Sequence, residues 1–158
     1  MKQMMSFTIN GAIFEGEIDH RRTLLEVLRE SFGLFGTHKG CDEGHCGACT
    51  VIVDGKAVNS CLVLAATVQG KEITTIEGLA QEDKLHPIQD AFVKAGAIQC
   101  GFCTPGMIMT TKAFLHKNPN PSEEEIKYAL SGNLCRCTGY YQIVEAVKIA
   151  AAQMRKEA

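Results

Sequence analysis

The chain has 158 residues, a net charge of −2 and a charged fraction of 22%. That length suits one large or two small domains, and the near-balanced charge leaves no polybasic footprint, so nucleic acid is excluded as the default partner. No apolar run reaches membrane-spanning length, Val58 to Val68 being broken by Asn59, Ser60 and Thr67, and Met1 to Ser6 holds no long apolar core. A cytoplasmic protein without a membrane span is expected.

Residues 3–19 alternate apolar and polar around Asn10-Gly11, the strongest short hairpin signal. Thr23, with Glu26 three residues on, predicts the N-cap of a short helix ending near Gly33. A loop over 36–49 follows, then a strand at 50–53, a turn at Asp54-Gly55, a returning strand at 56–58 and a last strand at 72–76. These pieces make a small α+β unit.

From Gly78 the periodicity becomes helical. His86-Pro87 opens one helix with Ile88, Ala91, Phe92 and Ala95 on its apolar face, and Thr104-Pro105 opens a second carrying Met107, Ile108, Thr111 and Leu115. Ser122 to Glu125 reads as a capping box for a third helix, and a fourth runs from about Tyr141 with Val144, Val147, Ile149 and Ala150 as core candidates. Four short helices with short connections predict a bundle. The expected division is 1–77 and 78–158.

Eight cysteines is high for such a chain. Their clustering, in Cys46-Gly47-Ala48-Cys49 and Cys135-Arg136-Cys137, leaves few of them a distant partner, so metal or redox use is favoured over disulfides. Cys41, Cys46, Cys49 and Cys61 follow the spacing C-x4-C-x2-C…C, the plant-type [2Fe–2S] ligand pattern. Four thiolates and two sulfides concentrate negative charge, and the Gly40, Gly44 and Gly47 backbone can turn N–H groups toward it. Zinc more often takes two separate Cys-x-x-Cys knuckles.

The second set, Cys100, Cys103, Cys135 and Cys137, falls in two interhelical loops beside helix N-termini. From the residues alone, a second cluster, a structural zinc and a Cys100–Cys103 redox disulfide all stay open. His45 is read as a solvated loop residue rather than a Rieske-type ligand. His86 and His116 are read as surface or capping groups, and Arg136 as solvent-facing or anion-paired.

Three segments together resemble the small iron–sulfur subunit of the molybdenum hydroxylases, the xanthine dehydrogenase and aldehyde oxidoreductase family. They are Gly40 to Thr50, Gln99-Cys100-Gly101-Phe102-Cys103-Thr104-Pro105-Gly106, and Gly132-Asn133-Leu134-Cys135-Arg136-Cys137-Thr138-Gly139-Tyr140. The resemblance implies a β-grasp, ferredoxin-like domain followed by a four-helix-bundle domain, each with one [2Fe–2S] cluster. It assigns Cys41, Cys46, Cys49 and Cys61 to the cluster nearer a flavin, and Cys100, Cys103, Cys135 and Cys137 to the one nearer molybdenum. Gln99 and Cys137 would lie against the molybdopterin cofactor. His38 stands where the family usually has lysine.

The implied function is electron transfer between a large molybdopterin-binding subunit and a medium FAD-binding subunit, with no catalytic residue on this chain. A purine or N-heteroaromatic dehydrogenase is favoured. An aldehyde, carbon monoxide or hydroxybenzoyl-CoA oxidoreductase is the alternative, and a stand-alone ferredoxin-like carrier or a zinc-dependent interaction module the readings from other classes. Gln99, Phe102 and Arg136 are expected to be buried in the complex.

Overall fold

β1 (Lys2–Ile9) and β2 (Ala12–Asp19) pair antiparallel around Asn10-Gly11, whose φ values of 54° and 77° are the left-handed conformations a type I′ hairpin needs. The computed structural model describes residues 1–157, so the last residue of the expected 78–158 half lies outside the described residues. Alternation buries Met5, Phe7 and Ile9 of β1 on one face and leaves Ile13 at the hairpin's outer edge exposed.

Thr23 and Glu26 form the expected capping box, but α1 (Leu24–Glu26) passes at once into a π-helical turn, Val27–Ser31. The Phe32 N–H reaches back to Val27 O at 3.1 Å, and the chain leaves through Gly33 at φ 69°. β3 (Thr50–Val53), β4 (Lys56–Asn59) and β5 (Glu72–Thr74) complete a five-stranded sheet in the order β2-β1-β5-β3-β4. Only the central β1–β5 pair is parallel. The expected strand 72–76 stops two residues early because the Thr75 N–H leaves the ladder and donates to Asn10 Oδ1, 2.8 Å away.

The helical half holds α2 (Pro87–Lys94), α3 (Thr104–Lys117), α4 (Glu123–Ala129) and α5 (Tyr141–Glu157). His86 Nδ1 accepts from the Ile88 N–H at 3.2 Å, so this histidine is a capping group as expected. Ser122 and Glu125 cap α4 reciprocally. α2 lies along α5. One assignment on α5 is corrected: Ile149 is 38% exposed, whereas Ile143, Ala146, Val147 and Ala150 are fully buried. Those four follow the i, i+3, i+4, i+7 stripe of a helix, and Ile149 falls beside it.

The two halves share a boundary through β3. Its four residues are all buried, as in a strand covered on both faces. Val51 and Val53 pack with Met5, Phe7, Leu28 and Ile73, while Ile52 joins the helical core with Phe92, Met107 and Ile143. α3 lies against this second face of β3. The sheet is thus a wall common to both cores.

Thr111 is fully buried in α3, and among the described residues its Oγ1 has no hydrogen-bond partner. A buried unsatisfied hydroxyl costs about 1–3 kcal/mol. Thr111→Val is therefore expected to raise the denaturation midpoint of the chain, checked by chemical unfolding of wild type and variant prepared alike.

Candidate metal centres

The loop leading to the first thiols is fastened before it reaches them. Arg29 donates through Nη1 to Phe35 O and Thr37 O, each at 2.8 Å, and its guanidinium lies over the Phe35 ring. Glu77 accepts from the Gly36 N–H at 2.8 Å and from Thr75 Oγ1 at 2.6 Å. Asn10 in turn donates to Thr75 Oγ1 at 2.9 Å, so the hairpin turn, the interdomain segment and the thiol loop form one polar network.

Within the loop, Cys41 Sγ accepts from the N–H groups of Glu43, His45 and Cys46 at 3.4, 3.3 and 3.4 Å. The Cys41 N–H donates to Cys46 Sγ at 3.4 Å. Inward N–H groups, the Glu43 donor first, hold the Cys41 thiol down to about 6, so this backbone is built for a thiolate. His45 contributes its backbone rather than its ring. Cys49 and Cys61 are buried together against Leu25. Burial and the neighbouring Cys49 push Cys61 up to about 12. Ser60 Oγ donates to Cys49 O at 2.7 Å and Asn59 Nδ2 to Gly44 O at 3.0 Å, seating the Ser60–Leu62 turn that presents Cys61.

The second set repeats the arrangement in twos. Cys100 and Cys137 are exposed with their sulfurs 3.5 Å apart. The Phe102 N–H lowers Cys100, and the contact with Cys100 raises Cys137. Cys103 is the N-cap of α3; burial and the adjacent Cys135 push it up to about 12. Burial acts upward on Cys135 as well, but the hydroxyl of Thr138, 3.1 Å from its sulfur, and nearby N–H groups bring it below its ordinary value. Tyr140 takes a left-handed φ of 69°, rare for a side chain of its size. It is held there because its hydroxyl accepts from the Cys135 N–H at 2.9 Å and its own N–H donates to Thr138 Oγ1 at 3.1 Å.

The pairing tests the fit of the implied group. Among the described residues, no three His, Cys, Asp or Glu side chains converge as a site for one metal ion. The thiols stand instead as Cys41 with Cys46, Cys49 with Cys61, Cys100 with Cys137, and Cys103 with Cys135. A two-iron, two-sulfide cluster needs two thiolates on each iron. Both sets fit that requirement.

The two sets are brought together by residues that the sequence reading did not single out for a role. The Leu134 N–H donates to Cys46 O at 2.9 Å. Asn133, buried, donates through Nδ2 to Gly47 O at 3.0 Å and accepts from Thr110 Oγ1 at 2.8 Å. A Cβ on Gly106 would stand 2.2 Å from Gly47 O, so only glycine lets α3 approach this closely. Gly106, Asn133 and Leu134 lay within the quoted motifs, and their contacts belong to the fold rather than to any spacing. Gln99 and Arg136 are exposed in the chain, and Phe102 is half-exposed.

Asn133→Ala would leave the Gly47 carbonyl without this donor and open a gap between the halves. A loss of roughly 1–3 kcal/mol in stability is expected, together with faster release of iron from both thiol sets, checked by denaturation and by chelator-trapped iron over time.

Two family models divide the chain: a 2Fe-2S iron-sulfur cluster binding domain over residues 7–82 and a [2Fe-2S] binding domain over residues 75–148. The nicotinate dehydrogenase small FeS subunit of Eubacterium barkeri is 49% identical, with 94% of this chain and 95% of that protein covered. The xanthine dehydrogenase iron-sulfur-binding subunit of Escherichia coli O157:H7 is 53% identical over 89% of each. A chain of quinoline 2-oxidoreductase from Pseudomonas putida 86 superposes with a TM-score of 0.94 at 44% identity, covering 98% of this chain and 97% of that one. With two cluster-binding modules and relatives matched end to end, the chain belongs to the family of small iron–sulfur subunits of the molybdenum hydroxylases.

Proposed function

We propose that the chain is the electron-transfer subunit of a molybdenum hydroxylase complex, working between a large molybdopterin-binding subunit and a medium FAD-binding subunit. Cys41, Cys46, Cys49 and Cys61 hold a [2Fe–2S] cluster on the flavin side. Cys100, Cys103, Cys135 and Cys137 hold a second on the molybdenum side, where Gln99 and Cys137 face the pterin. The observation that carries this reading is the arrangement of eight thiols as four pairs, in two loop sets that meet at the Leu134 N–H and Cys46 O contact.

The clusters, when bound, supply one-electron chemistry that amino acids lack. The chain's own residues shape it. Backbone N–H groups around Cys41 and the Thr138 hydroxyl at Cys135 donate to sulfur, which favours the more negative, reduced state. The exposure of Cys100 and Cys137, beside half-exposed Phe102 and Leu134, makes that loop pair the face for the molybdopterin subunit. Substrate conversion then takes place on the partner chain.

Residues 1–77 act as a β-grasp, ferredoxin-like domain, supported by the mixed sheet with its parallel β1–β5 pair, and 78–158 as a four-helix bundle, supported by α2 to α5. No helix among the described residues is long and apolar enough to cross a membrane, and all eight thiols are free, which suits the reducing cytoplasm. A purine or N-heteroaromatic substrate is favoured by the names of the relatives just described, which concern nicotinate, xanthine and quinoline.

The test uses the three-subunit complex under anaerobic conditions. Adding the complex's reducing substrate should produce two distinct [2Fe–2S] signals by electron paramagnetic resonance and bleach the flavin. Cys137→Ser should remove one signal, keep the other and stop substrate-driven bleaching. Bleaching at the unaltered rate in that variant would contradict the relay.

A further inference from the structure

His38 lies outside both thiol sets, yet it touches the two loops that carry them. Its neighbours are tied on either side: the Thr37 backbone O accepts from Arg29 at 2.8 Å, and the Lys39 side chain pairs with Asp42 at 2.7 Å. The ring is thereby directed at Phe102. His38 Nδ1 stands 2.7 Å from Phe102 O. A carbonyl oxygen only accepts, so Nδ1 bears the proton and donates. The imidazole also stacks on the Phe102 ring, with centroids 4.9 Å apart and planes 24° from parallel.

Phe102 completes the contact from the other side. Its Cε1 would lie 3.6 Å from a Cβ on Gly40, so the phenyl ring rests against the backbone next to Cys41. Phe102 also sits between Cys100 and Cys103, and its N–H donates toward Cys100 Sγ. It follows Gly101, at φ 83°, on a loop whose backbone alone would not choose one direction for a half-exposed aromatic. The histidine supplies that choice.

We propose that His38 is a positioning residue that locks the Cys100–Cys103 loop against the Cys41 loop, fixing the separation of the two clusters and tuning the one beside Phe102. The inference rests on the two-cluster reading above. The tuning follows from the peptide that His38 engages. A donor at Phe102 O polarises the Phe102–Cys103 amide and strengthens its N–H, which donates toward the Cys103 sulfur. A stronger donor at a ligand sulfur favours the reduced cluster and raises its midpoint potential.

The experiment uses the full chain carrying its clusters, titrated with dithionite as the one-electron donor and followed by electron paramagnetic resonance. His38→Leu removes both the donor and the stacking ring, whereas His38→Gln keeps an N–H donor of similar reach. With about four irons per chain retained, His38→Leu should shift one cluster to a more negative midpoint and weaken the magnetic splitting between the two reduced signals. His38→Gln should recover part of the midpoint shift. Loss of iron in His38→Leu that His38→Gln prevents would also support the positioning role. Unchanged midpoint and splitting in His38→Leu would overturn the inference, as would Leu and Gln variants that behave alike. Fewer than about four irons in the wild-type chain would instead overturn the two-cluster reading itself, and this inference with it.

Discussion

The carbonyl groups of Cys46 and Gly47 point at the backbone and side chain of Leu134 and Asn133, and the placement of both thiol sets depends on that meeting. Cys46 and Cys135 each lie within one residue of it. Were the contact absent, only the apolar seam along β3 would hold the two sets at their separation, because the stretch between β5 and α2 has little regular structure of its own. Glycine at 106 removes the side chain that would hold α3 off the thiol loop, and glycine at 47 the one that would strike Gly132 O and the Asn133 side chain. The common wall of β3, with Ile52 turned into the helical core, adds an apolar seal behind the polar contact.

This coupling gives a physical reason for one chain rather than two small carriers. Electron exchange between fixed centres needs a constant separation, and packed interiors supply it because they resist small displacements. The N–H donors around Cys41 are backbone groups, so they keep their positions whatever the side chains do. Burial differs along the row of thiols: Cys49 and Cys61 are enclosed, while Cys100 and Cys137 open to the surface. Such a gradient suits a relay that encloses its inner ligands, Cys49 and Cys61, and opens the Cys100–Cys137 edge to a partner.

Much of the fold was legible in the sequence because local chemistry dictated it. Asn10-Gly11 could make only a tight hairpin, and Thr23 with Glu26 and Ser122 with Glu125 capped the helices they announced. The thiol spacings were readable because each loop supplies two or three ligands at close intervals, in Cys41 to Cys49, Cys100 to Cys103 and Cys135 to Cys137. Other features depended on contacts between distant segments. The early end of β5 needed Asn10 to reach Thr75 across 65 positions, and the roles of Asn133 and His38 needed partners 86 and 64 positions away. Ile149 was misplaced because an apolar residue one step from the buried stripe looks the same in a one-dimensional pattern. The π-helical turn after α1 left no signal in propensity, since it reuses the same apolar residues with one wider bond.

On sequence grounds alone, the second thiol set could also have held a structural zinc. The pairing of its sulfurs and the family match over residues 75–148 both favour a cluster. Metal and acid-labile sulfide analysis of anaerobically purified chain, alongside its visible spectrum, tests this directly. About four irons and four sulfides per chain with little zinc is the predicted result. About two irons with one zinc would contradict it and leave the helical half a structural module.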